Sequence, residues 1–309
     1  MIMARPLVEA DLPAVVELLQ EDDRRSYGEP LSTLAEVRAR WSSPDLELER
    51  DSEAWTDDDT LVAFGTLDPL GGIELVVAES WAGAGLEDAM LDRWEAEAHR
   101  RGLASVHRHL SATDDEGLAR LEARGWVVER PGWLLGLSAD VAVEAHDLPD
   151  GYVVRAMEEA DVRPAYAVVR DAFAPYGGPV RTFADWRAGR VERPDVTLAH
   201  CHVVLLRGSV VGVCLVEDPQ DDAADDTLPV GVGDAEAEAW VPQLAVDAGH
   251  RRQGLARELL ARTALAARGR GVGRLALYTH AGTGALGLYE RFGMVVRQSV
   301  VECRLALDD

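Results

Sequence analysis

Apolar positions along this chain switch repeatedly between a period of two and a period near 3.6, and the switches set out strands and helices in a definite order. In the second half, Tyr152 to Arg155 alternates as a strand, and Ala165, Val168 and Val169 recur at helical spacing within about Val162 to Ala172. A loop and helix follow around Phe183 to Arg190, then a strand from Cys201 to Leu206. The turn Arg207-Gly208-Ser209 leads to a strand from Val210 to Val216, so this pair predicts a hairpin. Next come a central strand from Ala239 to Val246, the turn His250-Arg251-Arg252-Gln253-Gly254, and a helix opening at Leu255 and Ala256. A strand over Leu275 to Tyr278 and a helix ending Leu288-Tyr289-Glu290-Arg291-Phe292-Gly293 complete the series. Pro242 is awkward in the central strand, because proline cannot donate to a ladder and marks an edge or a bulge. One reading starts the strand only after it.

The pattern repeats. Arg5-Pro6-Leu7-Val8-Glu9-Ala10-Asp11-Leu12 and Arg155-Ala156-Met157-Glu158-Glu159-Ala160-Asp161-Val162 stand 150 residues apart. Each runs from an arginine-bearing strand through an acidic-Ala-Asp turn into a helix, which carries Val15, Val16, Leu18 and Leu19 in the first copy. Gly85-Leu86 with Met90-Leu91 matches Gly254-Leu255 with Leu259-Leu260 at 169, and Arg124-Gly125-Trp126 matches Phe292-Gly293-Met294 at 168. The excess of about nineteen residues falls in the acidic segment Glu217 to Glu238, which has no basic residue. Two domains of one design are therefore expected, 1–145 and 150–309, joined around His146 to Gly151. They are not chemically equivalent. The first has Ala82, Glu87 and Asp88 where the second has Arg251, Ala256 and Arg257, and Leu121 falls opposite Tyr289. Two carboxylates in a first helical turn suit the bare helix dipole and repel a phosphate. The first domain reads as a degenerate copy that supplies structure or a wall of a cleft.

Composition narrows the function. With 309 residues, 47% of them hydrophobic, the chain is long and apolar enough for two packed cores. A formal net charge of −24 opposes binding to nucleic acid or to an anionic membrane, and favours a neutral or cationic partner. No stretch reads as a membrane span and the first residues read as no secretory signal. Cys201, Cys214 and Cys303 are too few and scattered for a disulfide framework or a zinc site, so they read as reduced thiols in a cytoplasmic protein.

The turn before Leu255 carries the chemistry. A strand feeding an arginine- and glycine-bearing turn that opens a helix leaves backbone N–H groups unpaired and converging, with the helix dipole behind them. That is an anion cradle, suited to a pyrophosphate. It is neither G-x-G-x-x-G nor G-x-x-x-x-G-K-[ST], and the chain contains no lysine. Arg251, Gly254 and Ala256 instead resemble motif A of the GNAT N-acetyltransferase superfamily, [RQ]-x-x-G-x-[GA]. Ala285-Leu286-Gly287-Leu288-Tyr289-Glu290-Arg291-Phe292-Gly293-Met294 resembles that family's second signature, in which the tyrosine sits beside the coenzyme sulfur. The tandem layout resembles the mycothiol-synthase-like acetyltransferases.

The resemblance implies an α/β (α+β) fold of two tandem GNAT-like domains, each a mixed, mostly antiparallel sheet flanked by helices. Its central strand would splay to admit a pantetheine arm, with Pro242 at the opening. It implies acetyl-CoA as co-substrate and no metal. The pyrophosphate would rest on the amides of Arg252, Gln253, Gly254, Leu255 and Ala256, beside the charges of Arg251, Arg252 and Arg257. Leu244 and Val246 would pair with pantetheine through their backbone, the Leu244 amide would stabilise the oxyanion, and Ala285 would join the coenzyme contacts. Tyr289 would protonate the departing thiolate with its phenol at an ordinary pKa of about 10. The acceptor would be a small-molecule amine and the protein a monomer or homodimer.

The amine must first lose a proton. The position that often bears a glutamate in the family, eleven residues before Arg251, is Trp240. The nearest carboxylate on the same strand face is Glu238, two residues upstream, with Glu236, His280 or ordered water as substitutes. Gly282 stands where many members carry an asparagine. These two departures leave room for an alternative, a non-catalytic coenzyme-binding or regulatory protein. Asp218, Asp221, Asp222, Asp225, Asp226, Asp234, Glu236 and Glu238 are expected to stay solvated, either steering cationic amines or forming a tolerated surface insertion with no role.

Overall fold

A computed structural model describes residues 2–42, 46–176, 181–219 and 237–307. Chain contacts divide it into two compact units, Met1–Gly132 with Gln298–Asp309, and Trp133–Arg297.

The first unit contains β1 (Ile2–Arg5), α1 (Leu12–Tyr27), α2 (Leu34–Trp41), the single turn α3 (Leu48–Asp51), β2 (Ser52–Asp57), β3 (Thr60–Leu67) and β4 (Ile73–Val77). There follow α4 (Leu86–Arg100), β5 (Ser105–Ser111), α5 (Asp115–Ala123) and the start of β6 (Val127–Ser138). Strands β1 to β4 form an antiparallel sheet in sequence order. Leu12, Val15, Leu19 and Trp41 from α1 and α2 share a buried cluster with Phe64 and Val76. Met90, Leu91 and Trp94 of α4 share a second with Val62, Ala63 and Leu75. Successive residues such as Leu75 and Val76 on β4 thus face two helical layers.

The second unit contains β7 (Tyr152–Ala156), α6 (Val162–Phe173), α7 (Phe183–Arg190), β8 (His202–Leu206), β9 (Ser209–Glu217) and β10 (Glu238–Val246). It continues through α8 (Leu255–Gly269), β11 (Arg274–His280), α9 (Leu286–Phe292) and the first residues of β12 (Val295–Ala306). Its strand order is β6-β11-β10-β9-β8-β7, mostly antiparallel, with β10 and β11 parallel. The hairpin between β8 and β9 closes through Arg207 and Gly208, both at positive φ (51° and 84°), the two-residue geometry that matches strand twist. One core joins Val162, Ala165 and Val169 of α6, Leu255 and Leu259 of α8, and the inner residues of β8 to β11.

The repeat is physical as well as textual. In the first copy Arg5 reaches Asp11 at 2.6 Å and Asp11 accepts from the Val8 amide at 2.9 Å. In the second, Arg155 reaches Asp161 at 2.6 Å and Asp161 accepts from the Glu158 amide at 2.8 Å. Each carboxylate closes a single 3-10 turn that enters α1 or α6. Helices α4 and α8 both run 15 residues from a glycine in the left-handed region, Gly85 at φ 78° and Gly254 at φ 81°.

The units do not divide at the junction read from the sequence. Strand β6 begins in the first unit and ends in the second, and β12 runs the other way. Residues 298–306 pair with β5, matching Val300 with Ser111 through Ala306 with Ser105. Residues 133–149, upstream of the second copy, hold to α8: Arg268 donates to the carbonyls of Ser138 and Val141, and Glu258 accepts from the His146 amide. Hydrophobic periodicity marks each strand but not the neighbour it pairs with, so this exchange left no trace in the pattern.

Candidate active site

Strand β10 includes Pro242. Its register against β9 shifts by one between Trp240 (opposite Glu217) and Gln243 (opposite Leu215), a bulge that accommodates a residue without an N–H donor. The reading that starts the strand after Pro242 is thereby corrected. Trp186 of α7 donates to the Gln243 side chain at 2.8 Å and latches that helix onto the bulged segment.

Beyond the bulge β10 leaves β11. The parallel ladder matches Glu238 with Arg274, Ala239 with Leu275 and Trp240 with Ala276, and goes no further, although β10 continues to Val246 and β11 to His280. The Asp247 amide donates to Val211 of β9 at 2.9 Å, which sets the parity of the strand. Backbone groups of Ala245 and Gln243 therefore point to β9, and those of Leu244 and Val246 point into the gap. Strand β10 offers two amide edges to an extended ligand there. The Val246 carbonyl accepts from Arg251 Nε at 3.2 Å, so at Val246 the amide is the group presented.

The gap leads to the turn before α8. Asp247 caps the turn through the Gly249 amide at 2.9 Å, and the Tyr152 hydroxyl meets His250 Nδ1 at 2.9 Å. Arg252 (φ 62°) and Gly254 (φ 81°) both take left-handed conformations, which turn consecutive amides outward. The first bond into α8 runs from the Glu258 amide to the Gly254 carbonyl, so the Leu255, Ala256 and Arg257 amides have no carbonyl one turn back. A β-carbon built on Gly254 meets nothing within 4 Å. Gln253 is exposed beside it, Ala256 is half-buried, and Leu255 anchors the turn to the core. Arg251, Arg252 and Arg257 are exposed, and among the described residues none of them has a carboxylate partner. Three uncompensated cations around free amides make a positive seat in a chain of net charge −24.

The equivalent turn of the first unit is filled by its own side chains. Glu87 accepts from Arg108 at 2.8 Å and pairs with Arg120 at 3.0 Å, while Asp88 stands 3.9 Å from Arg120. The first-turn carboxylate there takes up the cations that an external anion would need.

Tyr289 lies on α9 and is only 7% exposed. Burial, then the nearby Cys214 thiol and Tyr176 phenol, push its pKa well above the ordinary value. The sequence expectation of an untuned phenol is corrected accordingly. Cys214, itself raised by burial to about 12, stands opposite Leu244 in the β9–β10 register. Ala285 caps α9, with its amide engaged by Thr283 Oγ1 at 3.1 Å.

Glu238 is not brought to this place. It lies six residues before Leu244, about 20 Å along an extended strand. Its carboxylate is held by Arg297 at 2.5 Å, with Arg274 at 3.7 Å. Asp218, at the other margin of the acidic segment, is likewise engaged by His200 at 2.5 Å and Arg270 at 2.6 Å. Asp221, Asp222, Asp225, Asp226, Asp234 and Glu236 lie outside the described residues. Tyr176, Trp186 and Gln243 were not read from the sequence as part of the site. Their convergence depends on tertiary packing that no local spacing encodes.

The sequence profile of the acetyltransferase (GNAT) family matches residues 159–294, the span from the acidic-Ala-Asp turn to the end of the tyrosine helix. That segment of the C-terminal unit is similar to the GNAT family. Among solved structures, a GCN5-related N-acetyltransferase from Sphaerobacter thermophilus superposes with TM-score 0.81 at 23% identity, over 99% of this chain and 95% of that one. A tandem GNAT protein from the clavulanic acid biosynthesis pathway gives 0.74 at 13% identity over the full length of both. Saccharomyces cerevisiae N-myristoyltransferase with bound myristoyl-CoA gives 0.66 at 10%, over 100% of this chain and 79% of that one. At these identities the likeness is one of fold, and it makes the chain a tandem arrangement of GNAT-like domains. Comparison with curated proteins gives no match. No helix among the described residues is long and apolar enough to cross a membrane.

Proposed function

We propose that the C-terminal GNAT-like unit binds acetyl-CoA and transfers its acetyl group to the amine of a small molecule by direct attack on the thioester. The observation that carries this reading is the gap beyond Trp240. It lies beyond the last β10–β11 pair, presents the Leu244 and Val246 amides, and ends at a turn with three arginines that have no carboxylate partner among the described residues. A pantetheine arm laid along β10 would place the diphosphate on the amides from Arg252 to Ala256, and Arg251, Arg252 and Arg257 would balance its charge. The Leu244 amide would then donate to the carbonyl oxygen as it becomes an oxyanion.

Tyr289 enters this reaction protonated, because burial holds its pKa up. A phenol less acidic than a departing thiol of about 8.5 acts chiefly as a hydrogen-bond donor that stabilises the thiolate, with the final proton drawn from solvent. Reduced, buried cysteines accord with a cytoplasmic setting. The test is release of free thiol from acetyl-CoA with a panel of small amines. Release that depends on both amine and Tyr289 supports an enzyme. Tight coenzyme binding with no release from any amine selects the non-catalytic alternative that Trp240 and Gly282 favour.

A further inference from the structure

Acyl transfer to an amine needs a group that removes the ammonium proton, and neither Trp240 nor Glu238 supplies one at the gap. The ladder between β10 and β11 ends at Trp240 opposite Ala276. One of the four residues from Trp240 to Leu244 is taken up by the bulge, so the level of Leu244 is reached near Thr279 and His280, at the end of β11 on the far side of the gap. The imidazole packs edge-on against Tyr176, ring centroids 5.8 Å apart, and Tyr176 is also one of the groups that raise Tyr289. His280 thus ends the strand that faces the gap, and Tyr289 lies on the helix that follows it directly in the chain.

Local structure fixes the backbone of His280 there. Thr283 Oγ1 donates to the His280 carbonyl at 2.9 Å and lies 2.8 Å from Thr279 Oγ1, while the Ala285 amide donates to it at 3.1 Å. One threonine thus ties the end of β11 to the start of the tyrosine helix. Gly282 completes the arrangement: a β-carbon at that position would lie 3.0 Å from His280 Nδ1 and 3.1 Å from Cε1. The imidazole takes the room that a side chain at 282 would need. The lack of a carboxylate at Trp240 and the lack of a side chain at Gly282 become one change.

We propose that His280 is the general base of the acetyl transfer, a reading that rests on the acetyltransferase function above. The acceptor ammonium gives one proton to the neutral imidazole, which passes it to solvent. The freed lone pair forms the C–N bond while the carbonyl becomes an oxyanion at the Leu244 amide. Collapse breaks the C–S bond, the thiolate leaves on a hydrogen bond from Tyr289, and the second nitrogen proton balances the one that the thiolate acquires.

The test compares two nucleophiles of one size, methylamine and hydroxylamine, following thiol release with the uncatalysed rate subtracted. Methylamine is an ammonium at neutral pH and needs a base, whereas hydroxylamine is already neutral. With His280→Gln the methylamine rate is expected to fall ~100-fold or more, and the hydroxylamine rate far less. Equal losses would show that the substitution only disturbs the fold, and no loss would show that the imidazole takes no part; either overturns the proposal alone. Wild-type protein that releases thiol with neither nucleophile overturns the acetyltransferase reading and this proposal with it. Gly282→Asn, which crowds the ring without removing it, is expected to reproduce the selective methylamine defect in weaker form.

Discussion

Asp11 and Asp161 show how a single carboxylate writes the same local structure twice. Burial works against the Asp161 charge, but Arg155 and the Glu158 amide outweigh it and hold its pKa below the ordinary value. A depressed carboxylate stabilises the fold above its unfolded pKa of about 3.9, and that contribution is lost as pH falls through the lower folded value. Asp161→Ala should cost about 1–3 kcal/mol in urea unfolding at pH 7, and its curve should converge with wild type in strong acid. Tyr289→Phe removes a hydrogen-bond donor while keeping the ring. Turnover should fall ~100-fold with coenzyme affinity nearly unchanged, and an unaltered rate would make Tyr289 a core residue. Tyr289 was legible because it sits in a linear signature, as Gly254 does. Its pKa was not, since burial and the neighbours Cys214 and Tyr176 come from three separate elements. Glu238 misled for a related reason: strand periodicity gives the face of a residue, but not its distance from the reacting atoms or the arginines that claim it.

At the scale of elements, the strand–turn–helix from Glu238 to Gly269 is the part most fully written in the sequence. Pro242 marked the bulge, and the left-handed Gly254 marked the helix start. What the sequence left out was where the β10–β11 ladder stops, because pairing is a property of two strands far apart in the chain. The turn gives a clean separation of strain from charge. Gly254→Ala should cost about 1–2 kcal/mol through its positive φ alone, since the added methyl meets no neighbour. Gly254→Asp adds a negative charge at the phosphate seat and should abolish coenzyme binding outright. If both variants lose affinity equally, the turn acts through shape and the cradle argument fails.

Across the whole molecule, two copies of one design have diverged in chemistry while trading strands. Because β6 supplies Trp133–Ser138 to the second unit and β12 supplies residues 298–306 to the first, a fragment cut at 150–309 lacks one strand of its own sheet and carries an unpaired one. It should aggregate or fail to give a cooperative unfolding transition, whereas the intact chain should unfold cooperatively by circular dichroism. The divergence in chemistry is clearest at the two glycine turns, where Glu87 occupies the first and three arginines without a carboxylate partner among the described residues surround the second. Calorimetric titration of the full chain with acetyl-CoA tests this most directly. One site per chain is expected, unaffected by Glu87→Ala and lost in Gly254→Asp. Two equivalent sites, or a site that survives Gly254→Asp, would contradict the account.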